Sequence, residues 1–216
     1  MGRGFLLALE GVDGSGKTTQ AKLLAVSLLQ QGREVLLTQE PSSGPAGQKL
    51  RRYLQGPTRN LSPLEELDLF LADRREHVDQ VIKPALAGGR MVITDRYYYS
   101  SVAYQGALGL DPGEILAANE AFAPRPDLVF LLLIPVPQAL ARLQRPRQVS
   151  ELLPYLERVA AIYETLPDPR ILRVNATAST PALHATLLAR TLAALEGFEK
   201  GGRGSLTSIA APGWKP

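Results

Sequence analysis

The segment Gly11-Val12-Asp13-Gly14-Ser15-Gly16-Lys17-Thr18 has the residue types and spacing of a loop that wraps an anion. Its glycines let backbone N–H groups turn inward without a Cβ in the way, and a helix N-terminus behind them adds partial positive charge. In such a loop Lys17 reaches the β- and γ-phosphates of a nucleoside triphosphate, and the Thr18 hydroxyl ligates Mg²⁺. A second metal contact is expected where the run Met91-Val-Ile-Thr-Asp95 ends in a carboxylate. An apolar run ending in aspartate is common in sheets, and a glycine turn can carry an incidental lysine. Together, Thr18 and Asp95 point to a metal-assisted phosphate site.

Composition removes other chemistries. The 216 residues include no cysteine, which excludes disulfides, thiolate zinc sites, iron–sulfur clusters and a cysteine nucleophile. With only His77 and His184, a multi-histidine metal site or a Ser-His-Asp triad is not expected. Lysine and arginine total 24 against 21 acidic residues, a net charge of +3. Most of the cations are arginines, suited to forked recognition of phosphate, although codon usage would enrich them equally well. They form no basic stripe, so no nucleic-acid partner is expected. No run reaches the length of a transmembrane helix, the short apolar start leads into Glu10 rather than a cleavage site, and a cytoplasmic protein is expected.

These residues need elements to hold them. Continuous apolar runs at Phe5–Leu9, Val35–Leu37, Met91–Ile93, Leu128–Ile134 and Ile171–Val174 fit strands buried on both faces. Between them, Ala21, Leu24, Ala25 and Leu28 recur at helical spacing, and Gly32 offers a stop. Ser62-Pro63 caps a second helix whose face carries Leu67, Phe70, Leu71, Arg74 and Val78, ending near Gly88-Gly89. Further helices are expected over Pro137–Gln144, Glu151–Thr165 and Pro181–Glu196. The alternation predicts an α/β fold: a five-stranded parallel sheet surrounded by helices, covering residues 1–198, with a flexible C-terminal tail expected over 199–216.

The stretches Glu10-Gly-Val-Asp-Gly-Ser-Gly-Lys-Thr, Glu40-Pro41, Leu69-Phe70-Leu71-Ala72-Asp73-Arg74 and Asp95-Arg96-Tyr97-Tyr98-Tyr99-Ser100-Ser101-Val102-Ala103-Tyr104-Gln105-Gly106 resemble, in order, the motifs of the thymidylate kinase family. The resemblance runs over about residues 4–195. It implies the P-loop nucleoside-monophosphate-kinase fold and transfer of the γ-phosphoryl of ATP to dTMP, with Mg²⁺. It further implies that Phe70 stacks on thymine, that Arg74 bonds its carbonyl oxygen, and that Ser101 and Gln105 complete base recognition. Tyr104 would crowd the sugar's 2′ position, Arg51 and Arg96 would hold the acceptor phosphate, and Asp13 would contact the sugar's 3′-hydroxyl region and help position Arg96. Glu40 would lie near the metal and the acceptor phosphate. A homodimer is implied as well.

Two departures from the family pattern stand out. Gln39 precedes the Glu-Pro pair where many members have arginine, and the lid, near residues 142–150, is short. Gly14 stands where some members place a catalytic arginine in the phosphate loop, so by resemblance Arg145 or Arg147 of the lid would close on the transferring phosphoryl, and Arg142 would pack against adenine. A phosphate acceptor is largely dianionic at neutral pH and needs no general base, in keeping with the scarcity of histidine. Another nucleoside or nucleoside-monophosphate kinase, or a nucleotide-gated switch, remains open on these residues. On their own, Phe70 reads as core, Arg74 and Arg75 as a solvated helix face, Tyr97 to Tyr99 as packing, His77 as a helix-surface residue and Glu10 as structural.

Overall fold

The computed structural model describes residues 3–56, 60–143 and 149–201. Five strands form one sheet: β1 Leu6–Glu10, β2 Val35–Gln39, β3 Met91–Asp95, β4 Leu128–Leu133 and β5 Ile171–Asn175. All neighbouring pairs are parallel and the order is β2-β3-β1-β4-β5. The central β1 pairs Leu9 with Asp95 on one side and Glu10 with Leu131 on the other. Every residue of β1 and β3 is buried, whereas the edge strands β2 and β5 are half-buried or exposed except at Ile171. That difference follows from helices covering both faces of the central strands.

The helices are α1 Lys17–Gln30, α2 Pro45–Gln55, α3 Pro63–His77, α4 Lys83–Ala87, α5 Tyr98–Gly106, α6 Pro112–Glu120, α7 Val136–Arg142, α8 Val149–Thr165 and α9 Thr180–Gly201. α3 starts with a capping box: Ser62 Oγ accepts from the Glu65 N–H, and the Glu65 carboxylate accepts from the Ser62 N–H at 2.8 Å. The expected run from Ser62 toward Gly88 is helical throughout but passes through a wider π turn, Val78–Ile82, into α4. Pro84 in the first turn of α4 explains the widening, because it lacks an N–H and its ring crowds the preceding turn.

α9 runs to Gly201, beyond the Glu196 expected from the sequence. Tertiary contacts outweigh the glycines there. The Phe198 ring sits edge-on to Phe5 at 5.2 Å, Arg3 lies over its face, and Glu199 pairs with Arg33. Residues 202–216, the greater part of the expected tail, lie outside the described residues, as do Arg145 and Arg147 of the expected lid.

Candidate active site

β1 ends at the carboxyl edge of the sheet, and the chain turns into α1 through Gly11, Gly14 and Gly16, all at positive φ. Gly14, at φ 83°, also faces the backbone of α7: a Cβ there would overlap the Ala139 carbonyl oxygen. The loop as folded therefore has no room for an arginine at this position. Inside it Lys17 is buried, its Nζ donating to the Val12 carbonyl at 2.9 Å. Burial, with the Arg96 cation second, pushes the Lys17 ammonium down to about 7, against the pull of Asp13, Asp95 and Glu10.

One helical residue onward, Thr18 Oγ1 donates to Asp95 Oδ2 at the end of β3. The other oxygen, Asp95 Oδ1, is buried with no hydrogen-bond partner among the described residues. A hydroxyl and an unsatisfied carboxylate oxygen are the hard donors that Mg²⁺ takes, usually together with water and substrate phosphate. The residues fit the ion.

The side of the loop that faces α5 is organised around Arg96, which is the non-glycine residue at positive φ (74°) among those described. Such a conformation costs of order 1–3 kcal/mol and persists only where neighbours over-determine it. Here they do. Thr94 Oγ1 donates to the Arg96 carbonyl at 2.7 Å, and the Arg96 N–H donates to the Leu9 carbonyl at 3.0 Å. Its guanidinium donates to Ser100 at 2.9 Å and to Asp13 Oδ1 at 2.6 Å, and lies 5.1 Å from the Tyr104 ring centre. Burial opposes ionisation of Asp13, but Arg96 and Lys17 outweigh it and hold the carboxyl below its ordinary value. Burial pushes the Tyr104 phenol up to about 12, so it stays protonated and donates to Asp13 while accepting from the Asp13 N–H.

Glu10 fastens β1 to the start of α5. Its carboxylate accepts from the N–H groups of Tyr97 and Ser100, from the Ser100 hydroxyl at 2.6 Å and from the Tyr163 hydroxyl at 2.9 Å. Burial raises its pKa despite these bonds. This supports a structural role, and Tyr97, Tyr98 and Tyr99 are all packed into the core.

A second buried network joins β2, α3, α5 and α6. Arg74 donates from Nε to Glu40 Oε2 at 2.8 Å, from Nη1 to Ser101 at 3.0 Å and Asn119 at 2.5 Å, and from Nη2 to the Tyr97 carbonyl at 3.3 Å. It is only 2% exposed, so the solvated helix face read from Arg74-Arg75 is corrected; the exposed Arg75 itself lies over the Phe122 ring at 4.1 Å. His77 is corrected too, being 2% exposed rather than on the surface. Its ring bridges Glu40 Oε1 at 3.1 Å and Thr38 Oγ1 at 2.7 Å. Burial opposes the charge on Glu40, yet Arg74 and His77 hold its pKa below the usual range. With Glu40 ionised, His77 Nδ1 must be the donor, leaving Nε2 to accept from Thr38 when the ring is neutral. Arg51 donates to the carbonyls of Pro41 and Ser42, which keeps its guanidinium beside the Glu40-Pro41 turn.

A cleft of about 790 Å³ is lined by the phosphate loop from Asp13 to Gln20 and by Glu40, Asp95, Arg96 and Arg142, but not by Arg51, Phe70, Arg74, Ser101, Tyr104 or Gln105. Arg142 donates to the Gly14 and Ala176 carbonyls. Gln39 lines this cleft, and also a smaller one of about 300 Å³ shared with Arg51 and Lys22. Phe70 is half-buried on α3, and Gln105 donates to Glu66 at 3.1 Å. Glu66, Asn119 and Tyr163 were not expected from the sequence. Only their polarity inside apolar helical faces could have signalled them.

The family model described as thymidylate kinase matches residues 9–187. The chain belongs to the thymidylate kinase family. A thymidylate kinase of Desulfotalea psychrophila is 47% identical over 180 residues, covering 82% of this chain and 88% of that protein. One of Xanthomonas campestris pv. campestris (strain B100) is 47% identical over 193 residues, covering 86% and 84%. A probable thymidylate kinase of Pyrococcus horikoshii is 43% identical over 198 residues, covering 87% and 95%. Members of this family are kinases, and the parallel sheet with its helical layers is the family's fold.

Proposed function

We propose that the protein phosphorylates dTMP with ATP, giving dTDP and ADP in the synthesis of dTTP. The observation that carries this reading is the single cleft in which a phosphate loop faces Arg96 and Glu40. Two anions repel, and bringing them together takes positioning and positive charge rather than a base. Neither histidine is placed as a base: His77 is bound to Glu40 and Thr38, and His184 to Ser27.

In this reading the loop N–H groups and Lys17 hold the ATP phosphates, and Thr18 and Asp95 hold Mg²⁺. The ion, when bound, neutralises charge on the phosphate oxygens. Arg96, set by Asp13, and Arg51 hold the acceptor phosphate. Phe70, Arg74, Ser101 and Gln105 hold the base, Tyr104 bounds the sugar, and Arg142 flanks the adenine. By the family resemblance the transferring phosphoryl is met by Arg145 or Arg147, both outside the described residues, in keeping with a Gly14 position that has no room for a side chain. Replacing the active one of these with alanine lowers kcat about 10³-fold, the low end for such arginines. Near-normal turnover in both single variants refutes that assignment.

The homodimer and the cytoplasmic location follow from the family reading; no helix among the described residues is long and apolar enough to cross a membrane. Sedimentation checks the dimer. The test of function is phosphate transfer to dTMP, dUMP, dCMP, dGMP and thymidine side by side. Preference for dTMP supports the proposal, and turnover of thymidine without dTMP overturns it.

A further inference from the structure

α3 and α5 are tied together by two polar rungs. One is Arg74 to Ser101, and the other is Glu66 to Gln105. Glu66 and Arg74 lie one turn to either side of Phe70, and Ser101 and Gln105 lie one turn apart. The rungs therefore flank Phe70, and the space beside its ring is the slot that the proposed function gives to the base.

Each rung fixes what its α5 side chain can still offer. Gln105 is 1% exposed and Glu66 4%. A carboxylate accepts and has no hydrogen to give, so the amide must turn its NH₂ toward Glu66. Gln105 Oε1 is then left as an acceptor, and it is buried with no partner among the described residues. Tyr53 donates to the other Glu66 oxygen at 3.1 Å, so it does not meet the Gln105 amide. At the opposite rung Arg74 occupies a lone pair of the Ser101 hydroxyl, so Ser101 has its own hydrogen to donate.

We infer that Glu66 is a positioning residue that makes the slot selective for a pyrimidine with an N3–H and a 4-oxo group. The slot presents a donor at the Arg74–Ser101 end and an acceptor at the Gln105 end. Thymine and uracil offer the complementary edge, an accepting O4 beside a donating N3–H. Cytosine offers the reverse, a donating 4-amino group beside an accepting N3. A buried acceptor facing an acceptor leaves both unpaired, which is how polar sites reject near-isosteres. Glu66 exerts this choice without touching the base. The inference rests on the slot being the nucleobase site of the proposed kinase.

The test measures kcat/KM for dTMP, dUMP and dCMP on single preparations of the unaltered protein, Glu66→Gln, Gln105→Met and Tyr53→Phe. Ratios from one preparation do not depend on its active fraction, so partial misfolding does not obscure them. Glu66→Gln can donate as well as accept, which frees the Gln105 amide to flip. The dTMP/dCMP and dUMP/dCMP ratios should both fall about 10- to 100-fold, in parallel. Gln105→Met should lower dTMP and dUMP turnover without lowering dCMP turnover. Tyr53→Phe should leave the ratios within about twofold. Unchanged ratios in Glu66→Gln, an equal shift in Tyr53→Phe, or a common fall for all three acceptors in Gln105→Met would overturn the role of Glu66. Failure of the unaltered protein to phosphorylate dTMP would overturn the kinase reading itself, and the inference with it.

Discussion

The Lys17 ammonium folds back onto the Val12 carbonyl and loses much of its proton affinity to burial. With a pKa of about 7, most of it is neutral at pH 8 in the empty protein. The charge of a bound triphosphate restores the proton, so ATP binding at pH 8 should take one up. Calorimetry in two buffers of different ionisation enthalpy checks this, and equal heats would contradict it. The sign for stability is opposite to that of a stabilised cation. The unfolded chain binds more protons between about 7 and the ordinary 10.5, so this group's contribution to stability rises with pH across that window. Asp13 presents a gentler case, because its side chain is half exposed although it pairs with Arg96 at 2.6 Å. Asp13→Asn should raise KM for dTMP about tenfold by loosening Arg96, a modest effect for a partly solvated pair. Steady-state kinetics with dTMP varied at saturating ATP measures it.

The loop between β1 and α1 carries its instructions locally, and so do the five apolar runs that became strands. The geometry of the loop was legible for that reason: glycine spacing, Lys17, Thr18 and the end of β3 at Asp95 each follow from neighbours in sequence. Gly14 is the sharpest instance. Gly14→Ala combines a positive φ with overlap on the Ala139 carbonyl, and should cost about 2–3 kcal/mol in urea unfolding. An unchanged midpoint would show that α7 yields. The residues proposed for the acceptor were singled out through the family resemblance far more than through their own pattern. His77 and Arg74 look like a wet helix face because their partners, Glu40 and Thr38, are more than thirty residues away in sequence. Glu66 needed Gln105, and the positive φ of Arg96 needed Thr94 and Leu9. No periodicity reports such pairings, which exist only once α3, α5 and the sheet are together. The π turn before Pro84 escaped for a different reason, since it leaves the helical pattern of apolar residues nearly intact.

Taken as one body, the protein places buried carboxylates in opposed electrostatic roles. Glu40 has a folded pKa below its ordinary 4.5, so its contribution is full above that value and is lost as pH falls through the lowered one. Glu10 and Asp73 are raised by burial, and their contributions weaken as pH climbs from 4.5 and 3.8 through their raised values. Glu40→Gln should therefore flatten the acid limb of the stability curve. It should also lower stability at neutral pH by about 3–5 kcal/mol, because Arg74 stays buried without its anion. Urea unfolding followed from pH 3 to 7 tests both, and an acid limb as steep as that of the unaltered protein would exclude Glu40 as its source. The polar machinery sits at the carboxyl edge of the sheet, where Gln20 of α1 reaches the Thr180 carbonyl at the start of α9. From there the 22-residue α9 runs about 33 Å to the opposite edge, where Phe198 meets Phe5 at the entry to β1. A bead or fusion partner joined at Gly201 would thus stand about one α9 length from the Gln20 end of the phosphate loop, and the immobilised enzyme should turn over as fast as the free one.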